Sequence, residues 1–131
     1  MIIKITPDYE KAKSLSKIAN MRLDFLKTID KKRFTTITLE TYYEIIKELA
    51  SSILLIEGYK TIGEYAHKEL LQKILELKII NNQEFNLADN LRIQRNISSY
   101  DGIETNNSFL DNEIQIKKLI EKLNNNITKR L

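Results

Sequence analysis

Leu39, Tyr42, Ile46, Leu49, Ile53 and Ile56 recur at alternating steps of three and four residues, a spacing that lays them along one side of an α-helix. Leu54 and Leu55 widen that stripe, so the helix meets more than one neighbour, as the central member of a bundle does. Gly58 follows at the position where a left-handed residue ends a helix. A chain carrying this segment is therefore expected to wrap other amphipathic helices around it.

The flanking sequence supplies them. Thr6-Pro7 reads as an N-cap with proline in the first turn, opening a helix to about Ile29 whose buried side is marked by Leu15, Ile18, Phe25 and Ile29. Arg22 falls inside that stripe, either snorkelling from its edge or held in a partly buried ion pair. A connector with Lys31, Lys32 and Arg33, the one compact basic run, reads as a solvated helix end or turn. Thr61-Ile62-Gly63-Glu64 has the pattern of a capping box before a third helix carrying Leu70, Leu71, Ile74 and Leu75, antiparallel to the second. His67 precedes these at helical spacing and faces or borders the core, where a histidine is most often a hydrogen-bonded packing residue.

Asn81-Asn82 makes a turn, and Glu84 to about Ser98 forms a fourth helix with Leu87, Leu91 and Arg95 in one row. Arg95 extends an apolar row, so its stem is expected to lie on packed side chains while its guanidinium reaches past them toward solvent or a partner. Asp101-Gly102 breaks this helix, with Asp101 an ordinary turn residue, and Asn106-Asn107-Ser108 offers caps for a last helix bearing Ile116, Ile120, Leu123 and Ile127. Asn124 to Asn126 lower helix propensity, and fraying is expected there. The expectation is one all-α domain over residues 1–131, an antiparallel up-and-down bundle of five helices without strands.

Composition narrows the chemistry. Without cysteine and with one histidine, the 131-residue chain has no disulfide, no thiolate zinc site and no multi-histidine metal centre; a metal held by carboxylates and water stays open as a minor alternative, and the leading expectation is neither metal nor cofactor. A formal net charge of +3 is too small to imply a nucleic-acid partner by itself, because that binding usually draws on a dense basic stripe. No apolar run is long enough for a membrane span and no signal-peptide core follows Met1, so a cytoplasmic protein without membrane contact is expected. The remaining candidate for chemistry is Arg95-Asn96-Ile97-Ser98-Ser99-Tyr100-Asp101-Gly102, where a permanently charged planar fork of donors stands near an amide and a phenol.

The order of these features resembles the HEPN superfamily, small helical domains whose signature is an arginine followed by a polar residue and, a few positions on, a histidine. Arg95-Asn96 fits the first half, and Tyr100 stands where the common form has histidine. The likeness extends to Tyr42-Tyr43-Glu44-Ile45-Ile46-Lys47-Glu48-Leu49, to Gly58-Tyr59-Lys60 after an aliphatic run, and to His67 in the next helix. It is similar to a prokaryotic branch that reads arginine-asparagine, then tyrosine and glycine, as Arg95, Asn96, Tyr100 and Gly102 do here.

Two readings follow from the resemblance. In one, the chain is a homodimer that binds RNA or a nucleotide phosphate and acts as a metal-independent endoribonuclease. Arg95 would then stabilise the charge that grows on phosphorus, Asn96 would orient it, and Tyr100 would donate a hydrogen bond or proton, since a phenol with a pKa of about 10 is a poor base at neutral pH. In the other, Arg95 bridges to a carboxylate on helix two, and the domain is a non-catalytic module that pairs with itself or with a nucleotidyltransferase-type partner of a toxin-antitoxin system.

Overall fold

The computed structural model describes residues Met1 to Leu131 as five α-helices and one two-stranded sheet. Strand β1 (Ile2–Lys4) leads to α1 (Tyr9–Leu26) and α2 (Thr35–Glu57), and strand β2 (Tyr59–Thr61) to α3 (Ala66–Glu76) and α4 (Asn82–Asp101). A 3-10 turn over Asn107–Asn112 then runs into α5 (Glu113–Arg130). No helix is long and apolar enough to cross a membrane.

The long seam behaves as its spacing requires. All six of its residues are buried, and α2 packs against α1, α3, α4 and α5 as well as β2. The 27 buried apolar side chains fall in one cluster, so the chain has a single core with α2 through its middle. Helix α2 stops at Gly58, whose φ of 84° is left-handed and whose N–H closes on Leu55 O. A β-carbon there would stand 3.0 Å from the Ile5 carbonyl, so the residue serves both the turn and the close passage of the N-terminal segment.

That passage corrects two expectations. The N-cap of α1 is Asp8, which accepts from the Lys11 N–H at 3.0 Å, and Thr6-Pro7 lies before it in the segment leaving β1. Thr61 opens no capping box, because it is in β2 opposite Ile2 in an antiparallel pairing, with Ile3 opposite Lys60 and Lys4 opposite Tyr59. Helix α3 begins later, at Ala66, and its N-cap Tyr65 supplies no side-chain bond. The expectation of no strand is thus overturned by three-residue strands that meet across most of the first half of the chain.

Helix α1 keeps part of its expected stripe, since Leu15 and, past the helix end, Ile29 pack half-buried against the core, but the rest is displaced. Its fully buried residues are Ala12, Ala19 and Leu26, while Ile18 and Phe25 are exposed. Small side chains let α1 lie close on α2, close enough for the buried Ser52 hydroxyl to donate to the Ala12 carbonyl at 2.7 Å. Arg22, exposed along its stem, pairs through Nε with the buried Glu48 at 2.7 Å, which is the ion pair rather than the free snorkel. The asparagines near the C-terminus hold α5 instead of loosening it. Asn124 exchanges amide hydrogen bonds with Asn20 of α1 at 3.0 and 3.1 Å, and the helix continues to Arg130.

Candidate functional site

Helix α4 begins at a reciprocal capping box, in which the Asn81 side chain accepts from the Glu84 N–H and the Glu84 carboxylate accepts from the Asn81 N–H, both at 2.8 Å. It ends where expected, at Gly102 with φ 67°. Between these caps Ala88, Leu91 and Arg95 form its buried side. Arg95 does not reach past the apolar row. It is 8% exposed, donates from Nη2 to Glu44 Oε1 at 3.1 Å, and lies with its guanidinium carbon 4.9 Å from the centre of the Tyr43 ring. An acceptor and an aromatic face on α2 both draw the cation inward.

Its engagement is partial. Of the five N–H groups a guanidinium carries, one goes to Glu44 and one makes a long 3.4 Å contact from Nη1 to Asn96 Oδ1. Glu44 is shared, since its Oε2 takes Lys47 Nζ at 2.7 Å. Burial works to raise the Glu44 carboxyl, but the Lys47 hydrogen bond and the charges of Lys47, Arg95 and Arg22 outweigh it and hold it below the ordinary carboxylate range. The next turn of α4 is tied to α2 as well, because the Ser98 and Ser99 hydroxyls donate to Glu40 Oε2 at 3.2 and 2.9 Å. Glu40, Glu44 and Lys47 thus make a charged seam where α4 crosses α2.

Tyr43 occupies the centre of this crossing. Its ring lies 6.2 Å, centre to centre, from that of His67 on α3, and its fully buried hydroxyl has no hydrogen-bond partner. Burial pushes the Tyr43 phenol well above its usual range, the Arg95 charge offsetting only part of the effect. A buried hydroxyl without a partner is a cost, so Tyr43→Phe is expected to be neutral or to stabilise the fold by up to about 1 kcal/mol in urea titrations. A loss of more than about 1 kcal/mol would show that the hydroxyl has a partner in solution.

His67 borders the core as expected, half-buried and packed beside Tyr43, but its ring makes no hydrogen bond to the protein. Burial, then the charges of Lys47 and Arg95, with Arg92 adding to them and Glu44 opposing, hold it below the usual histidine value of 6.5. The unfolded chain therefore takes up this proton first, and stability is expected to fall as the pH drops below about 6.5. A second loss follows below about 4.5, where Glu44 and Glu113, both held under the ordinary carboxylate value, become protonated. In His67→Gln the first phase should vanish and the second remain. Equal urea midpoints at every pH for the two proteins would refute the assignment.

The third motif residue stands apart. Tyr100 is 74% exposed, on the outer side of α4, where Ile93 and Ile97 share its face at helical spacing and are also exposed. The structure thus brings Arg95 and Asn96 into contact and leaves Tyr100 outside that contact, and the carboxylate beside the arginine, that of Glu44, is held in ion pairs with both Arg95 and Lys47. No three histidine or acidic side chains converge as a metal site would need.

The connector is the expected turn with Lys32 and Arg33 exposed, and only Lys31 departs from a solvated reading. Lys31 pairs with Glu113 at 2.9 Å, while Lys32 and Arg33 line a cleft of about 610 Å³ with Thr35, Thr36, Ser98 and Gly102. The cleft joins the start of α2 to the end of α4. Phe34, the N-cap of α2, provides no side-chain bond, so the first amides of a 23-residue helix are left uncapped at its mouth, beside two cations. Sequence reading missed this juxtaposition and the role of Tyr43. The signal for the seam was present, since Glu40, Glu44 and Lys47 recur along α2 at steps of four and three, on one side of the helix. No family model, curated protein or solved structure matches the chain.

Proposed function

We propose that the protein is a HEPN-like module that binds an RNA or nucleotide phosphate in the cleft between the start of α2 and the end of α4. One observation carries this reading: the only compact basic run, at Lys32 and Arg33, lines the same cleft as Ser98 and Gly102 of the motif-bearing helix. Two cations, the Thr36 hydroxyl and the amides at the start of α2, which lack a side-chain cap, are a donor set that suits a phosphate, the Thr35 hydroxyl being already given to the Lys32 carbonyl. Asn96 and Tyr100 lie on the helix that forms one wall but do not line the cleft, so a contact with sugar or base would be made outside it. Arg95, anchored on Glu44, sets the position of that wall.

Binding is favoured over cleavage. Metal-independent strand scission needs a free group to take the 2′-hydroxyl proton as well as charge stabilisation at phosphorus, and the one carboxylate in contact with Arg95, that of Glu44, is already engaged by Arg95 and Lys47. A second reading, the non-catalytic module that dimerises or pairs with a nucleotidyltransferase-type partner, is favoured by Arg95's pairing with Glu44 and by the exposed Ile93, Ile97 and Tyr100 on one face of α4.

Fluorescence anisotropy with labelled single-stranded RNA in excess chelator separates these readings. The charge-reversed K32E/R33E variant should lose at least about tenfold in affinity and flatten the salt dependence by about two charges. Unchanged binding in that variant would sink the cleft. RNA that stays intact supports binding alone, whereas cleavage abolished by Arg95→Lys, with the fold retained, would establish the ribonuclease. Absence of RNA binding together with a concentration-dependent dimer in light scattering would favour the second reading.

A further inference from the structure

On the far side of α2 from the charged seam, α1 and α5 leave a slot of about 340 Å³ between them. Its floor is core, formed by Leu26, Tyr42 and Ile120, each no more than 2% exposed, with the half-buried Leu23 alongside. Its two ends differ in chemistry. Where α1 finishes and α5 starts, the rim carries Lys27, Lys31 and Lys117. At the other end Asn124 closes the slot, its amide already committed to the reciprocal pair with Asn20.

The three cations at this end are unevenly paired. Lys31 is held by Glu113, which also accepts the Tyr42 hydroxyl at 2.6 Å, so that carboxylate is already engaged from two sides. Lys27 has one acidic partner, the exposed Asp24 of its own helix at 3.4 Å, and Lys117 has none within ion-pair distance. Glu121 is the one opposing carboxylate on the rim, and no cation pairs with it within that distance.

We propose that this slot binds a small amphiphilic anion, an apolar body ending in a carboxylate or phosphate. The head lies among Lys27, Lys31 and Lys117. The body covers Leu23, Leu26 and Ile120 and points toward Asn124, whose side chain is held in the reciprocal pair with Asn20. The size is within the range of small-molecule sites, and the combination of an apolar wall with a few convergent charges at one end is how such sites fix orientation. This site shares no lining residue with the phosphate cleft, and the two stand or fall separately.

Titration of the purified protein with octanoate, octyl phosphate and octanol, followed by methyl and amide chemical shifts, tests it. Both anions are expected to move the Leu23, Leu26 and Ile120 methyls and to saturate, with octanol at least about tenfold weaker. The tighter of the two anions identifies the head group. Added salt should weaken the anions and leave octanol unchanged. The K27Q/K117Q variant, altered only at exposed side chains, should lose about tenfold for the anions while keeping its thermal midpoint. Octanol binding as tightly as the anions, unaltered affinity in K27Q/K117Q, or shifts that are absent or scattered away from the slot would each overturn the proposal.

Discussion

Arg95→Ala is expected to lower the folding free energy by about 2–4 kcal/mol, read from urea unfolding at neutral pH. The side chain is nearly buried and its partner Glu44 lies at the crossing of α2 and α4, so truncation removes packing on Tyr43 and leaves a carboxylate with fewer donors. Lys47 still holds the other oxygen of Glu44, which keeps the loss below that of stranding a fully isolated charge. The double variant E44Q/R95A should cost less than the sum of the two single changes, as coupled neighbours do. This outcome bears directly on function: lost RNA binding in Arg95→Ala means nothing for phosphate contact unless the fold survives. A change of under about 0.5 kcal/mol would show that the guanidinium is not holding the helices and is free for a ligand.

Leu49→Ala should be the more damaging substitution, at about 3–5 kcal/mol. Leu49 is wholly buried midway along α2, where its neighbours belong to several helices that cannot all move to refill the space. Ile18→Ala, a comparable truncation on the outer side of α1, should stay within about 0.5 kcal/mol, because 40% of that side chain already meets solvent. Similar losses at both positions in urea titrations would mean that α1 is buried in solution against something other than α2.

The two helices show what periodicity can and cannot reveal. Along α2 the residues that repeat at helical spacing are bulky and apolar, and every one is in the core. Along α1 the same rule selects Ile18 and Phe25 as well as the half-buried Leu15, yet the fully buried side runs through Ala12 and Ala19 to Leu26, and the two alanines carry little hydrophobic signal. The strands were illegible for another reason. Ile2 finds its partner at Thr61, and no local pattern in three residues announces a pairing so distant in the chain.

The same distinction applies to the candidate site. The contact of Arg95 with Asn96 follows from their adjacency, and the row from Leu87 through Leu91 to Arg95 did place the arginine against packed side chains. Its inward turn depends on Glu44 and Tyr43, which only the crossing of α2 and α4 brings to it. Lys32 and Arg33 looked like a turn because their significance lies in what faces them, the last turn of α4, and not in their immediate neighbours.

With every other helix resting on α2, the polypeptide has no half that could persist by itself. A cut within residues 35–57 would leave each fragment without a scaffold, whereas a nick in the exposed stretch Gly102–Glu104 would preserve the scaffold in one piece and let the severed C-terminal segment dock again. Loop growth and chain insertion are accordingly accommodated at the ends of the central helix's neighbours, and the central helix itself is the segment least free to vary.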